Sequence, residues 1–421
     1  MKLELVASGL NYLKLYNRKF LENIELLQFL KDNIISKVSS ENDYISFLFN
    51  AYTESTAGAF LKKYYKDSLY NIHADSGGLQ AITLGKKIDS NLKTQVYNIQ
   101  SQYADIGMSF DEIPITTSVD KSPAASLIGR TFDYYGLDEY IYKSANNFVE
   151  QIRYYLDLNS SCKPMYVLHG NCYDTLMKWY DMSMKIIPED LKPYIGGISF
   201  TDSAMGNGLI EDVIQAFAIK QILNDFDKFH LLGIGSVKRL IPYIFMGKKF
   251  GPIHLSYDST TLTQGVGFGR FYSNFKKISL SREYNDKYKI LYEMIINNLH
   301  DISDIPIKSF YTIINSDSSY YYINNNKKDN IDLKKQSDYY RVIFSYFFIS
   351  VMNFMRDVRL LADSSNEMVR IADKLKISKI YQHLDHIETS EDLSRFVSMN
   401  MRESNKISTN QDIITTIERF F

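Results

Sequence analysis

Between about residues 70 and 260, short apolar runs alternate with longer amphipathic stretches, and this alternation limits the possible folds more than any other feature. The strand candidates are "YNIHA" (70–74), "DIGMSF" (105–110), "MYVLH" (165–169), "YIGGISF" (194–200), "FHLLGIG" (229–235) and "IHLSY" (253–257). Between them lie helical patterns such as "SANNFVEQIRYYLDL", "NCYDTLMKWYDMSMK" and "NGLIEDVIQAFAIKQILNDF". Strands that alternate with helices at this spacing argue for parallel β/α units, and so many in series favour a closed (β/α)8 barrel over an open sheet. "SFLFNAY" (46–52) is expected to add an earlier strand and "SFYTIIN" (309–315) to close the barrel. The expected class is therefore α/β, a TIM-like barrel with a divergent, mainly helical C-terminal region. Residues 1–279 would form the core, and 280–421 would complete the barrel and extend it with helices.

Nearly every strand candidate ends in acids, a histidine or glycines. Asp75 precedes Ser76, Gly77 and Gly78; Asp111 follows the second strand; His169, Gly196–Gly197, Gly233 and Asp258 follow in order. A parallel barrel carries its chemistry on the loops at the C-terminal ends of its strands, so these residues are expected to share one site. Taken alone, "DSGG" reads as a tight turn and Asp258 as a helix N-cap ahead of Ser259 and Thr260. It is the repetition at successive strand ends that argues for a site.

Composition sets the limits. With 421 residues, 45% of them hydrophobic, the chain can bury a large core. A formal net charge of -1 means that a nucleic-acid partner would have to be met by local clusters: Lys62–Lys63 with Lys66, Lys238–Arg239, Lys248–Lys249 and Lys276–Lys277. Two cysteines, Cys162 and Cys172, suit a reducing cytoplasm. "MKLELVASG" breaks the apolar core an export signal needs, and "VIFSYFFISVMNFM" (342–355) is too short to span a bilayer and reads as a buried helix. The expected location is cytoplasmic, in a bacterial cell or a phage-infected host, with no membrane partner.

The motifs "DSGGLQ", "DIGMSFDEIP", "VLHGNCYD", "YIGGISF", "HLLGIG" and "LSYDSTT", in that order, resemble the tRNA-guanine transglycosylases and their DNA-acting relatives over about residues 45–270. The chain is most like the DNA-guanine transglycosylases of 7-deazaguanine DNA modification systems, often encoded by phage. The resemblance implies a (β/α)8 enzyme that exchanges guanine in a polynucleotide for a 7-deazaguanine, such as 7-cyano-7-deazaguanine, without cutting the strand and without a cofactor. It implies Asp258 as nucleophile and Asp75 as general acid/base, with Ser76 and Gly77 beside it. It also implies that Asp111 accepts hydrogen bonds from the purine N1–H and exocyclic amine, and that backbone N–H groups at Gly196 and Gly197 donate to O6.

Three departures matter. His169 replaces a glutamine and would donate one hydrogen bond to O6; Leu79 and Leu232 replace an aromatic residue and a methionine on the walls of the base slot. The zinc site of the tRNA enzymes needs three cysteines downstream of the nucleophile, and no cysteine follows Cys172, so no metal is expected. His383, Asp385, His386 and Glu388 in "YQHLDHIE" read as surface residues. These departures favour DNA over tRNA as the polymer. A tRNA-acting enzyme of unusual lineage and a non-catalytic nucleic-acid-binding subunit are the alternatives, and the oligomeric state stays open.

Overall fold

A computed structural model describes residues 1–9, 28, 32, 43–67, 69–83, 88–114, 132–201, 208–251, 253–299, 302–315 and 333–404. Its centre is a closed barrel of eight parallel strands in sequential order: β1 (Lys2–Ala7), β2 (Asp43–Asn50), β3 (Ile72–Asp75), β4 (Ile106–Met108), β5 (Lys163–Leu168), β6 (Gly197–Phe200), β7 (Lys228–Leu231) and β8 (His254–Ser259). The ring closes where β1 pairs with β8, with Val6 opposite Asp258. Helices α1 (Ser55–Tyr65), α2 (Gly78–Thr83), α3 (Ser90–Tyr103), α4 (Leu137–Asp157), α5 (Tyr173–Ile186), α6 (Leu209–Ile222) and α7 (Val237–Phe250) connect the strands. The (β/α)8 expectation holds, and all six strand candidates between 70 and 257 contribute to the barrel wall.

The closing strand does not lie at 309–315. That segment is α10 (Ile307–Asn315), and the eighth strand is the N-terminal "KLELVA". Phe310 with Ile313 and Ile314 repeats at three and four residues, which is a helical stripe; Phe310 is buried. In β1 the period is two, with Leu3, Leu5 and Ala7 in the main core and Glu4 on the opposite face. All eight barrel strands lie within residues 2–259, so among the described residues the segment from 280 onward adds no strand to the barrel.

After β8 the chain forms α8 (Thr261–Gly267) and then an antiparallel hairpin, β9 (Arg270–Ser273) with β10 (Lys276–Ser279). Helix α9 (Asp286–Asn298) precedes α10, and the C-terminal part continues with α11 (Leu333–Asp363), α12 (Ser365–Lys374), α13 (Ser378–Leu384) and α14 (Ser390–Ser404). The apolar run 342–355 is indeed the buried middle of α11. It holds the hairpin through polar contacts as well: Asp357 accepts the Phe275 N–H at 2.7 Å, Ser350 Oγ accepts from Tyr272, and Asn353 donates to the Tyr272 carbonyl. Among the described residues no helix is long and apolar enough to cross a membrane.

Strand alternation gives the barrel two different surfaces. Outward positions such as Phe47, Phe49, Ile72, Ala74, Tyr166, Phe229, Leu255 and Tyr257 join the helices in the main apolar core. Inward positions split by side: Met108, Met165 and Val167 form a small apolar cluster against Leu232, whereas β1, β2, β3, β7 and β8 turn in Glu4, Ser46, His73, His230, His254, Ser256 and Asp258. Buried polar groups of this density need partners, and Glu4, Ser46 and His73, like His230 and Ser256, bond to one another.

Candidate active site

Asp75 is the last residue of β3, and the turn after it depends on glycine. Gly77 has φ +78°, and a Cβ there would lie 2.6 Å from Asn50 Oδ1 and 2.6 Å from Tyr52 Cβ. Both the left-handed backbone and the close approach exclude a side chain. Asn50, at the end of β2, accepts the N–H groups of Tyr52 and Thr53 with Oδ1 and donates from Nδ2 to Asp75 Oδ2 at 3.3 Å. Asn50 therefore orients the candidate acid, a role invisible until β2 and β3 are paired. Ser76 is buried and its Oγ accepts from the Gly78 N–H at 3.4 Å.

The other acids converge on this turn. A Cβ on Gly78 would meet the Asp111 carbonyl oxygen at 3.4 Å and Asp111 Oδ1 at 3.5 Å, so the loop after β4 packs directly on the "DSGG" turn. Asp258 ends the inward row of β8, buried, with Oδ1 accepting the Gly233 N–H at 2.7 Å. Thr260, not Asp258, is the N-cap residue of α8, so the carboxylate turns to the end of β7 instead of capping a helix. Asp75 feels both neighbours: burial first, then the charges of Asp111 and Asp258, push its carboxyl up to about 7, against the opposing pull of the Gly77 and Ser76 N–H groups.

His169 has a different task from the one expected. Its Nε2 lies 2.5 Å from Asp111 Oδ2 and its Nδ1 lies 3.1 Å from Thr201 Oγ1. The ring is buried against Trp179, at 5.0 Å between centroids. A carboxylate has no hydrogen to give, so Nε2–H donates to Asp111 and has none left for a purine O6. His169 holds Asp111; it is not a free donor to a base. Asp111 likewise has a partner whether or not a base is bound.

Gly196 and Gly197 are not at this site. They open β6, at the opposite end of the barrel from Asp75 and Asp258. The Gly196 N–H donates to the Pro164 carbonyl at 2.7 Å, and a Cβ on Gly197 would meet the Lys228 carbonyl oxygen at 2.6 Å. The pair lets β6 enter tightly between β5 and β7, so neither is placed to bind O6. That end holds a cavity of about 250 Å³ whose lining includes Gly196, Glu4, His73 and His254. Leu79 and Leu232 are both half-buried, just past β3 and β7, with Leu232 resting on Met108, Met165 and Val167.

Below the acids runs a buried polar column that strand-end motifs did not reveal. Glu4 accepts from Ser46 Oγ at 2.5 Å, and lies 2.7 Å from His73 Nε2 and 2.7 Å from His254 Nε2. Burial opposes its charge, but the two imidazoles and their hydrogen bonds hold its carboxyl well below the ordinary range. The signal was there in "HAD" and "HLSYD": counting back by twos from each candidate acid reaches His73, Ser256 and His254 on the same strand face.

Asp385 pairs with Lys249 at 3.0 Å, and the His383 ring lies against Phe396. Among the described residues no group of three His, Cys, Asp or Glu side chains is placed to hold a metal ion. Cys162 and Cys172 are both buried free thiols. In comparisons with known proteins, no family model matches the chain and no curated protein matches it significantly.

Proposed function

We propose that this protein is a base-exchange transglycosylase that replaces guanine in DNA with a 7-deazaguanine through a glycosyl ester on Asp258. The observation that carries this reading is the convergence of Asp75, Asp111 and Asp258 at one mouth of the barrel, where the Gly233 N–H orients Asp258 and burial with the neighbouring charges pushes the Asp75 carboxyl up to about 7. Two acids whose environments separate their tasks are what exchange at an N-glycosidic carbon requires. The Asp258 carboxylate attacks the anomeric carbon as the bond to guanine breaks, and Asp75 gives its proton to the departing base. The incoming base then gives a proton back to Asp75 as it displaces Asp258. The sugar–phosphate chain stays intact throughout.

Guanine as the leaving base rests on the motif order and on Asp111. With Oδ2 held by His169, Oδ1 faces the Gly78 turn and is the oxygen left for a purine N–H. Asp111→Ala is expected to raise the requirement for free deazaguanine and to relax discrimination among purines, with a smaller effect on thermal stability. Competition assays with guanine, adenine and deazapurines check this, and an unchanged preference would remove Asp111 from base recognition.

A base must leave the stack to reach the barrel mouth, at a cost of a few kcal/mol that phosphate contacts have to offset. Two of the basic clusters are partly committed elsewhere: Arg239 is in a bidentate pair with the buried Asp212, and Lys249 is paired with Asp385. Lys276 and Lys277, exposed on β10 and close in the chain to Asp258, are the better candidates. DNA affinity is expected to fall about three-fold per phosphate contact when salt rises from about 50 to about 200 mM. The Lys276→Ala/Lys277→Ala double variant should flatten that slope; an unchanged slope would place the DNA elsewhere.

The deciding experiment is exchange of labelled guanine from duplex DNA, single-stranded DNA and tRNA, side by side. Exchange into DNA exceeding that into tRNA is the expected outcome. Exchange into tRNA alone would make the protein a tRNA-acting enzyme, and none in any polymer would favour a non-catalytic nucleic-acid-binding role.

A further inference from the structure

The candidate nucleophile has an unmatched neighbour beneath it. His230, on β7, is fully buried inside the barrel. Its Nδ1 is 2.8 Å from Ser256 Oγ, which donates its own hydrogen to the Phe229 carbonyl at 3.2 Å. A hydroxyl has one hydrogen, so Oγ accepts from His230 and Nδ1 carries the imidazole proton. Nε2 of the neutral ring is then a bare lone pair. It is buried, has no hydrogen-bond partner and lies 3.6 Å from Asp258 Oδ1. Two acceptors face each other across a gap too wide for a hydrogen bond.

We propose that His230 is a positioning residue for Asp258, the gap between Nε2 and Oδ1 being a slot for a single proton. When the slot is filled, the two groups close to hydrogen-bond distance, and the proton ties the carboxylate to β7 and draws charge away from it. When it is empty, Asp258 keeps its full charge, and attack falls to Oδ2. The catalytic consequence rests on the reading of Asp258 as nucleophile; the slot itself does not.

The surroundings leave His230 as the partner for such a proton. From β8 it is faced by Asp258 and Ser256, and from β3 by His73, with ring centroids 5.4 Å apart. His73 Nε2 is committed to Glu4 on β1, and β6 presents the uncharged Ser199 at the paired position. Asp75 adds a further carboxyl whose charge interacts with that of Asp258. Burial disfavours a charged His230, while Asp258 and Glu4 favour it.

Histidine NMR on the full-length protein, labelled with ¹⁵N and ¹³C, tests the slot without any activity assay. At about pH 8 His230 should be the Nδ1–H tautomer with Nε2 unprotonated. Asp258→Asn should move its titration midpoint down by about 1 pH unit, because the charge that favours the filled slot is gone. An Nε2–H tautomer, no proton uptake down to about pH 4, or the same midpoint in both proteins overturns the proposal. His230→Asn keeps a donor for Ser256 but lacks the Nε2 lone pair. It should move the acid limb of the exchange rate by about 1 pH unit with KM for the free base unchanged. A uniform loss of rate with the same pH profile makes His230 a packing residue and also overturns it. If wild type shows no base exchange at all, the transglycosylase reading fails while the NMR result still decides the slot.

Discussion

Asp258→Ala is expected to abolish base exchange, by at least about 10⁴-fold, while leaving the barrel folded. The carboxylate ends the inward row of β8, where its protein contacts are the Gly233 N–H at 2.7 Å and the unfilled gap to His230. Losing it leaves one N–H without its acceptor, at a cost of about 1–3 kcal/mol. Removing one of three clustered carboxylates relieves repulsion in the opposite direction, since Asp258 is among the charges that raise Asp75. The fold should therefore survive with a small change in melting temperature. Trapped with DNA and run under denaturing conditions, wild type should carry a covalent adduct whose attachment maps to Asp258, and the variant none. Near-normal exchange by the alanine variant, or an adduct on another residue, would remove Asp258 as nucleophile.

Asp75→Asn is expected to lose activity and gain stability, and the gain depends on pH in a direction that can be worked out. General acid/base help is worth about 10²–10⁴-fold, so exchange should fall by that much. In the folded protein the carboxyl is pushed up to about 7 from an ordinary value of 3.8, so the folded state holds this proton more tightly than the unfolded chain does. As pH rises from about 4 to about 7, the unfolded chain releases the proton first and wild type loses stability. At 1.36 kcal/mol per unit the loss is on the order of 2–4 kcal/mol, the lower end being appropriate to a half-buried group. Asparagine keeps the shape and cannot ionise. The variant should thus melt a few degrees above wild type at about pH 8, with the difference closing toward about pH 4. Thermal unfolding of both proteins at the two pH values measures this. Parallel pH dependence in the two would mean that Asp75 is not held proton-rich by its surroundings.

The sequence by itself determined the barrel and the row of acids at its mouth. Strand–helix alternation is a local pattern, written in the period of apolar residues, and it predicted the wall from β3 to β8. Asp75 and its glycines were legible for the same reason: a positive φ at Gly77 is a property of the turn itself. Asp111 and Asp258 were legible because position at a strand end is also local. Tertiary structure decided everything that depends on which strand meets which. The closing strand was misplaced at 309–315 because a short apolar run does not announce its partner; β1 becomes a barrel strand only by pairing with β2 and β8. His169 looked like a donor to a ligand until the fold put Asp111 2.5 Å away. Gly196 and Gly197 looked like part of the mouth until the strand register placed them at the other end of the barrel. The column of Glu4, His73, His254 and His230 comes from four strands and exists only inside the closed ring. Hydrogen-bond partners are chosen by distance in space, and a one-residue shift in register would send each of these side chains to the opposite face.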